Sequence, residues 1–250
     1  MAYISNPNLP QGKVKLAVID GRAKNIGMAL EKMGIDVIYT VRHPILYNAV
    51  SYHPDMILHH LGGEDIVVAP DVDKNFLWQL EGYGFNIIKG ETPLYRNYPG
   101  DIAYNVARIG DVAFHNIRYT DKVLLNELKK RGVKLIDIKQ GYAKCSICIV
   151  NEKAIITQDV GIANKAREHG IEALLVPPGN IKLHELNYGF IGGATGLISK
   201  SELAVAGNIQ FYKYKDEILD YLDNNGISVV NLVCDEITDI GSIIPLMEWP

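Results

Sequence analysis

Cysteine is scarce in this chain, with three in 250 residues. So small and odd a number excludes a disulfide framework and suits a reducing compartment, so a cytoplasmic protein is expected. No apolar run is long enough to span a bilayer. Residues 1–11 are polar and Pro-rich, without the basic start and apolar stretch of a signal peptide. Positive charge is not in excess either: 25 Lys and Arg stand against 29 Asp and Glu, a formal charge of −4. That balance excludes a general attraction to nucleic acid or to an anionic membrane. The one basic run, Lys129-Lys130-Arg131, closes a predicted helix, where cations complement the helix dipole. A Gly-x-Gly-x-x-Gly loop is also missing. The segment from Asp20 to Gly27 has the look of a phosphate loop without its glycine spacing.

What the chain does contain is one phrase five times over. A helical pattern ends in glycine, and the glycine leads into a short apolar strand. The copies are Glu-Lys-Met-Gly34-Ile-Asp-Val-Ile, Glu-Gly-Tyr-Gly84-Phe-Asn-Ile-Ile, Lys-Lys-Arg-Gly132-Val-Lys-Leu-Ile, Arg-Glu-His-Gly170-Ile-Glu-Ala-Leu and Asp-Asn-Asn-Gly226-Ile-Ser-Val-Val. Each glycine supplies the left-handed C-cap that other residues resist. Repetition at this spacing implies units that bury their faces only against one another. Each unit reads as strand, helix, strand, then a third strand leading into the next unit. The predicted third strands are 55–61, 101–107, 143–150, 190–198 and 237–246. Links from a third strand to the next first strand are very short, as at Gly62–Glu64 and Asn151–Lys153. Such links join antiparallel neighbours and exclude a doubly wound parallel sheet. One domain over 1–250 is expected, with repeats at about 13–63, 64–110, 111–150, 151–199 and 200–250.

Five strand–helix–strand–strand units in one α/β chain resemble the pentein fold, a propeller with helices outside and short sheets inside. Proteins of this fold include deiminases, dimethylarginine dimethylaminohydrolase and amidinotransferases, as well as a non-enzymatic initiation factor, so fold alone does not settle function. The enzymes hold a planar guanidinium with a carboxylate, attack its central carbon with a thiolate and move protons through a histidine. The resemblance implies a carboxylate role for Asp101, in Tyr98-Pro99-Gly100-Asp101, with Asp55 in Tyr52-His53-Pro54-Asp55 as its internal counterpart. It puts Tyr142 where those enzymes carry the histidine, in Gln140-Gly141-Tyr142-Ala143-Lys144-Cys145. The segment matching their nucleophile, Asp239-Ile240-Gly241-Ser242, holds no cysteine.

Cys145 is the substitute nucleophile, and the adjacent Lys144 favours its thiolate. A buried cysteine that merely packs is the alternative. The expected catalytic set is therefore Cys145 with Tyr142 or His53 as proton carrier. The expected binding set is Asp101, Asp55, Lys144 and Asn105, and the ligand is a small molecule with a guanidinium or amidine group. The other reading is a non-catalytic binding protein that kept the pocket.

No cofactor, metal, nucleic acid or membrane is expected. A facial set of His53, Asp55 and His59 is conceivable from strand alternation, with polar pocket lining as the plainer reading. Cys145-Ser-Ile-Cys148 puts its thiols on opposite strand faces, which excludes a dithiol site. Gly192 and Gly193 read as a close backbone approach. Asp20, Asp71, Asn116, Asp159 and Asn208, one after each first strand, read as helix caps.

Overall fold

A computed structural model describes residues 1–249 of the chain. It contains five small sheets built on one plan. An inner strand turns back through a hairpin onto a middle strand, and the middle strand pairs in parallel with an outer strand beyond a helix. The second sheet runs Leu58–Gly62, Asp65–Val68, Asn86–Lys89. The third runs Ala107–Ile109, Val112–His115, Lys134–Asp137. Ile147–Asn151, Ala154–Thr157 and Glu172–Leu175 form the fourth. Thr195–Ser199, Glu202–Val205 and Ser228–Asn231 form the fifth. The first sheet closes the ring. Its inner strand, Ile244–Glu248, comes from the far end of the chain and pairs antiparallel with Val14–Ile19, which runs parallel to Asp36–Tyr39.

Helices Lys24–Lys32, Lys74–Gly82, Lys122–Lys130, Val160–Glu168 and Lys215–Asn224 make the five crossovers. Each buries an i,i+4 apolar pair: Ile26 and Leu30, Phe76 and Leu80, Leu124 and Leu128, Ile162 and Ala166, Ile218 and Leu222. Each is followed by its glycine at positive φ, from 69° at Gly226 to 88° at Gly84. The capping expectation holds in part. Asp159 accepts from the Ile162 amide and caps its crossover helix, whereas Asn208 accepts from the Gln210 amide and caps only the 3₁₀ turn Ile209–Phe211. Asp20 accepts from the Arg22 amide without capping the first crossover helix. For the second and third crossover helices the capping side chains are instead Asp73 and Asp121. Asp71 and Asn116 lie too early, because those helices start two or more residues later than the strand exits suggest.

The inner strands are the main correction. Each begins about three residues or more beyond its expected start, because a tight turn comes first. Pro54–Ile57 and Ala143–Ser146 are single helical turns, and Gly192–Ala194 is a 3₁₀ turn. Asp55 and Cys145 therefore sit on turns, so period-two alternation does not govern them. His59 is carried away from His53 and Asp55, into a buried group with His60, Arg108 and His115.

His115 anchors one of these turns. Its Nε2 lies 3.2 Å from the Gly141 carbonyl and its Nδ1 2.7 Å from the Thr120 hydroxyl. A neutral ring satisfies both contacts by donating from Nε2 and accepting at Nδ1. Burial pushes His59 down to about 3, and His60 and His115 down to about 4. Between these values and the ordinary 6.5, the unfolded chain binds protons that the fold excludes. Each ring thus contributes stability that is complete above pH 6.5 and lost as pH falls toward about 4, or toward about 3 for His59. The buried carboxylates of Asp55, Asp101 and Asp239, raised by burial, act in the opposite sense. The histidine contribution is isolated by His115→Gln. Urea unfolding of this variant should show a smaller stability difference between pH 5 and pH 7 than the wild-type protein. An unchanged difference would contradict a neutral buried His115.

Candidate functional site

The turns in front of the inner strands converge, and four of the five bring a polar side chain to one place. Asn105, just before the third inner strand, accepts the Lys144 amide at 2.8 Å through its side-chain oxygen and so holds the neighbouring turn. Gly192 and Gly193 have no room for a side chain, since a Cβ at Gly193 would run into the Asp239 carboxylate. Ser242 has φ 77°, a conformation that costs a non-glycine residue energy. Its amide is held to the Gly193 carbonyl at 2.7 Å.

Asp55 is the centre of the group. The Cys145 thiol donates to Asp55 Oδ2 at 3.0 Å, and the Ser242 hydroxyl lies 3.0 Å from the same oxygen. The Lys144 ammonium donates to Ser242 Oγ at 2.9 Å, and Asn105 Nδ2 donates to Cys145 Sγ at 3.2 Å. Asp55, Asn105, Lys144, Cys145 and Ser242 are all buried. Burial raises the Asp55 carboxyl and lowers the Lys144 amine. It also raises the Cys145 thiol, with the charges of Asp55 and Asp239 adding to the effect. The resting sulfur is thus a thiol with its proton directed at a carboxylate.

His53 lies between two carboxylates, with Nδ1 3.9 Å from Asp239 and Nε2 3.9 Å from Asp20. Burial lowers its pKa, which keeps the ring neutral. Asp239 is itself fixed by the amides of Phe190 at 2.8 Å and Gly241 at 3.0 Å. One ligand atom each of His53, Asp55 and Cys145 lies within 4.8 Å of the others. The spacing suits short proton transfers, and these are also the three residues that could hold a metal ion. Among the described residues, both ring nitrogens of His53, Asp55 Oδ1 and Asp101 Oδ1 have no hydrogen-bond partner.

A cavity of about 280 Å³ opens above this group, lined by Cys145, His53 and Asp239 on one side and by Tyr47, Tyr142 and Phe190 on another. Tyr142 donates to Asp101 Oδ2 at 2.7 Å and lies 3.4 Å from the Tyr47 hydroxyl. Burial and these neighbours push its phenol far above the ordinary range. A second cavity of about 250 Å³ reaches Asp20 and Asp239, the carboxylates that flank His53.

The structure brings together Asp55, Asn105, Lys144 and Cys145, with His53 beside them, and joins Tyr142 to Asp101. Sequence reasoning did not single out Ser242, Asp239 or Tyr47. For the first two a signal existed, because they lie in the segment matched to the nucleophile of the deiminase-like enzymes. For Tyr47 there was none. Gly192 and Gly193 are the close approach that their sequence suggested.

A family model described as a family of unknown function, DUF6873, matches residues 18–244. No curated protein matches the chain. Solved structures do. An amidinotransferase of the saxitoxin biosynthetic pathway from Microseira wollei is 12% identical, with 93% of this chain and 92% of that one covered and a TM-score of 0.57. The inosamine-phosphate amidinotransferase of Streptomyces griseus is 10% identical, covering 100% and 98%, with a TM-score of 0.59. The agmatine deiminase of C. jejuni, with substrate bound, is 9% identical, covering 98% and 96%, with a TM-score of 0.56. The fold is the pentein fold, a ring of five strand–helix–strand–strand units.

The electrostatic account of Cys145 is directly testable. Replacing Asp55 by Asn removes a negative charge that disfavours the thiolate. Iodoacetamide labelling of Cys145, followed by mass spectrometry across pH, should show its midpoint fall by about one unit or more in Asp55→Asn. A midpoint that stays or rises would overturn the assignment of Asp55 as the thiol's ionised partner.

Proposed function

The chain belongs to the DUF6873 family, and we propose that it is an enzyme that modifies guanidino or amidino groups, acting on a small cationic substrate through the Cys145 thiol. The observation that carries this reading is the position of Cys145, which lines the cavity with its proton directed at Asp55 and His53 close by. The site suits a planar cation. Asp239 lines the cavity, Asp55 and Asp101 each keep one oxygen free of protein partners, and the aromatic faces of Tyr47, Tyr142 and Phe190 favour a cation in a dry site. Neighbours of the same fold that carry out amidino transfer and agmatine deimination support the same class.

The steps follow from the contacts. A bound cation offsets the field of Asp55 and Asp239, which eases loss of the thiol proton. That proton passes to Asp55, and the sulfur electron pair forms a C–S bond to the amidinium carbon. The C–N bond to the leaving amine then breaks with its electron pair going to nitrogen, which takes the proton back from Asp55. Water or an acceptor amine next attacks the same carbon, and His53, neutral at rest, accepts its proton. The C–S bond breaks and sulfur is reprotonated. Lys144, through Ser242, compensates the charge of Asp55 throughout. Tyr142, with its raised phenol bound to Asp101, serves binding better than proton transfer.

The test is release of ammonia or amine from arginine, agmatine, methylated arginines, alkylguanidines and simple amidines. Turnover of at least one compound should be lost in Cys145→Ser, fall about 100-fold or more in His53→Gln and persist in the exposed-site control Cys234→Ser. Turnover that survives Cys145→Ser would reject the thiol mechanism. Binding of a guanidinium with no turnover under any condition would leave the pocket as that of a non-catalytic binding protein.

A further inference from the structure

The wall of the cavity says more about the ligand than its charged centre does. Among the described residues, neither arginine nor lysine lines it. Its exposed part is Leu186 and Tyr188, with the half-buried Phe190 and the buried Val50 and Leu183 also lining it. Leu186 and Tyr188 are 49% and 45% exposed, so the mouth presents apolar surface to the same opening through which a ligand enters. Tyr142, Phe190 and Tyr188 line the cavity as an aromatic series that continues outside it to Tyr98. Ring centroids lie 5.7 Å apart for Tyr98 and Tyr142, 6.3 Å for Tyr142 and Phe190, and 6.2 Å for Tyr188 and Phe190.

A lysine and a histidine do occur near the rim, in a groove that shares Leu183, Leu186 and Asn187 with the cavity. They are already engaged. Lys182 pairs with Glu236 at 2.6 Å, and His184 lies 3.5 Å from Glu185. Arg22, beyond His53, is spent on Asp20 and on the carbonyls of Asn48 and Ala49. A ligand carboxylate at the mouth would therefore meet leucine, tyrosine and the Asn187 amide in place of a counter-charge, so the water it loses there is not replaced by an ion pair. An alkyl or aryl tail at the same place removes apolar surface from water on both sides.

We propose that the ligand is a monocationic amidine or guanidine with an uncharged, apolar tail, and that the site discriminates against guanidino amino acids. The proposal rests on the guanidino reading above and narrows it. The cationic head lies among Cys145, Asp239 and the Tyr142–Asp101 pair, and the tail lies along Phe190, Tyr188 and Leu186.

Calorimetric titration of the Cys145→Ser protein with n-butylguanidine, arginine, methylguanidine and n-butylurea tests it. Butylguanidine should bind about tenfold or more tightly than arginine, and butylurea, isosteric and uncharged, should bind more weakly than butylguanidine. Arginine binding as tightly as butylguanidine would overturn the tail assignment and leave the guanidino reading standing. Butylurea binding as tightly as butylguanidine would remove the guanidino reading itself, and this proposal with it. A second variant tests the tail position. Leu186→Ala with Tyr188→Ala, both at exposed sites, should weaken butylguanidine about fivefold and leave methylguanidine unchanged. Equal loss for both compounds, or no loss for either, would place the tail elsewhere.

Discussion

The Asp55 carboxylate is buried and accepts from both Cys145 and Ser242 at one oxygen, while the other oxygen faces no protein donor. A buried carboxylate is tolerable only with compensation. The compensation here comes from a thiol, a hydroxyl and, through that hydroxyl, the Lys144 ammonium. Each partner in turn depends on Asp55: the thiol proton is aimed by it, and Lys144 keeps a counter-charge within reach. The raised Asp55 and Cys145 and the lowered Lys144 all follow from enclosure of this one group. A half-satisfied polar cluster of this kind is a poor way to stabilise a core and a good way to receive a cation.

The ring of sheets makes the cluster possible. Ser242 and Asp55 are 187 positions apart, and Cys145 and Asp55 are 90 apart. They meet because every unit ends its turn at the same place relative to its inner strand. Closure matters as much as repetition, since Ser242 reaches the centre only when Ile244–Glu248 pairs back onto Val14–Ile19. The asymmetry of function arises inside this symmetry. Equivalent turns carry a carboxylate, an amide, a thiol with a lysine, two glycines and a serine, and the glycines leave the space taken by the Asp239 carboxylate and by the backbone of the Cys145 turn.

Much of this was legible in the residues. The five helix-ending glycines all adopt the left-handed conformation their phrase requires, and the short links do join antiparallel strands. Asp55 could be singled out as the internal counterpart of Asp101, and Cys145 with Lys144 as a substitute thiol and its neighbouring cation in the repeat alignment. The turns before the inner strands were not legible. Met56, Ile57, Ala143 and Ile191 are apolar and continuous with the strand pattern, so nothing in the hydrophobic period separates a single helical turn from the strand after it. His59 was misplaced for that reason. Tyr47 gave no local signal, because its partner, Tyr142, is distant in sequence, whereas Asp239 stood within the segment matched to the nucleophile of the deiminase-like enzymes.

The sequence by itself determined the repeating unit, the lack of an apolar run long enough for a membrane-crossing helix, and the acidic, thiol-bearing character of the residues available for chemistry. Those properties are written in local pattern and composition, which need no knowledge of what lies across the ring. Only the tertiary structure decided which groups share a hydrogen-bond network, that the Cys145 proton is directed at Asp55 and that Tyr142 is bound to Asp101. It also decided that the mouth of the cavity is apolar. Such relations depend on distances of a few ångströms between segments brought together by ring closure, and burial at those distances sets the charge of each group.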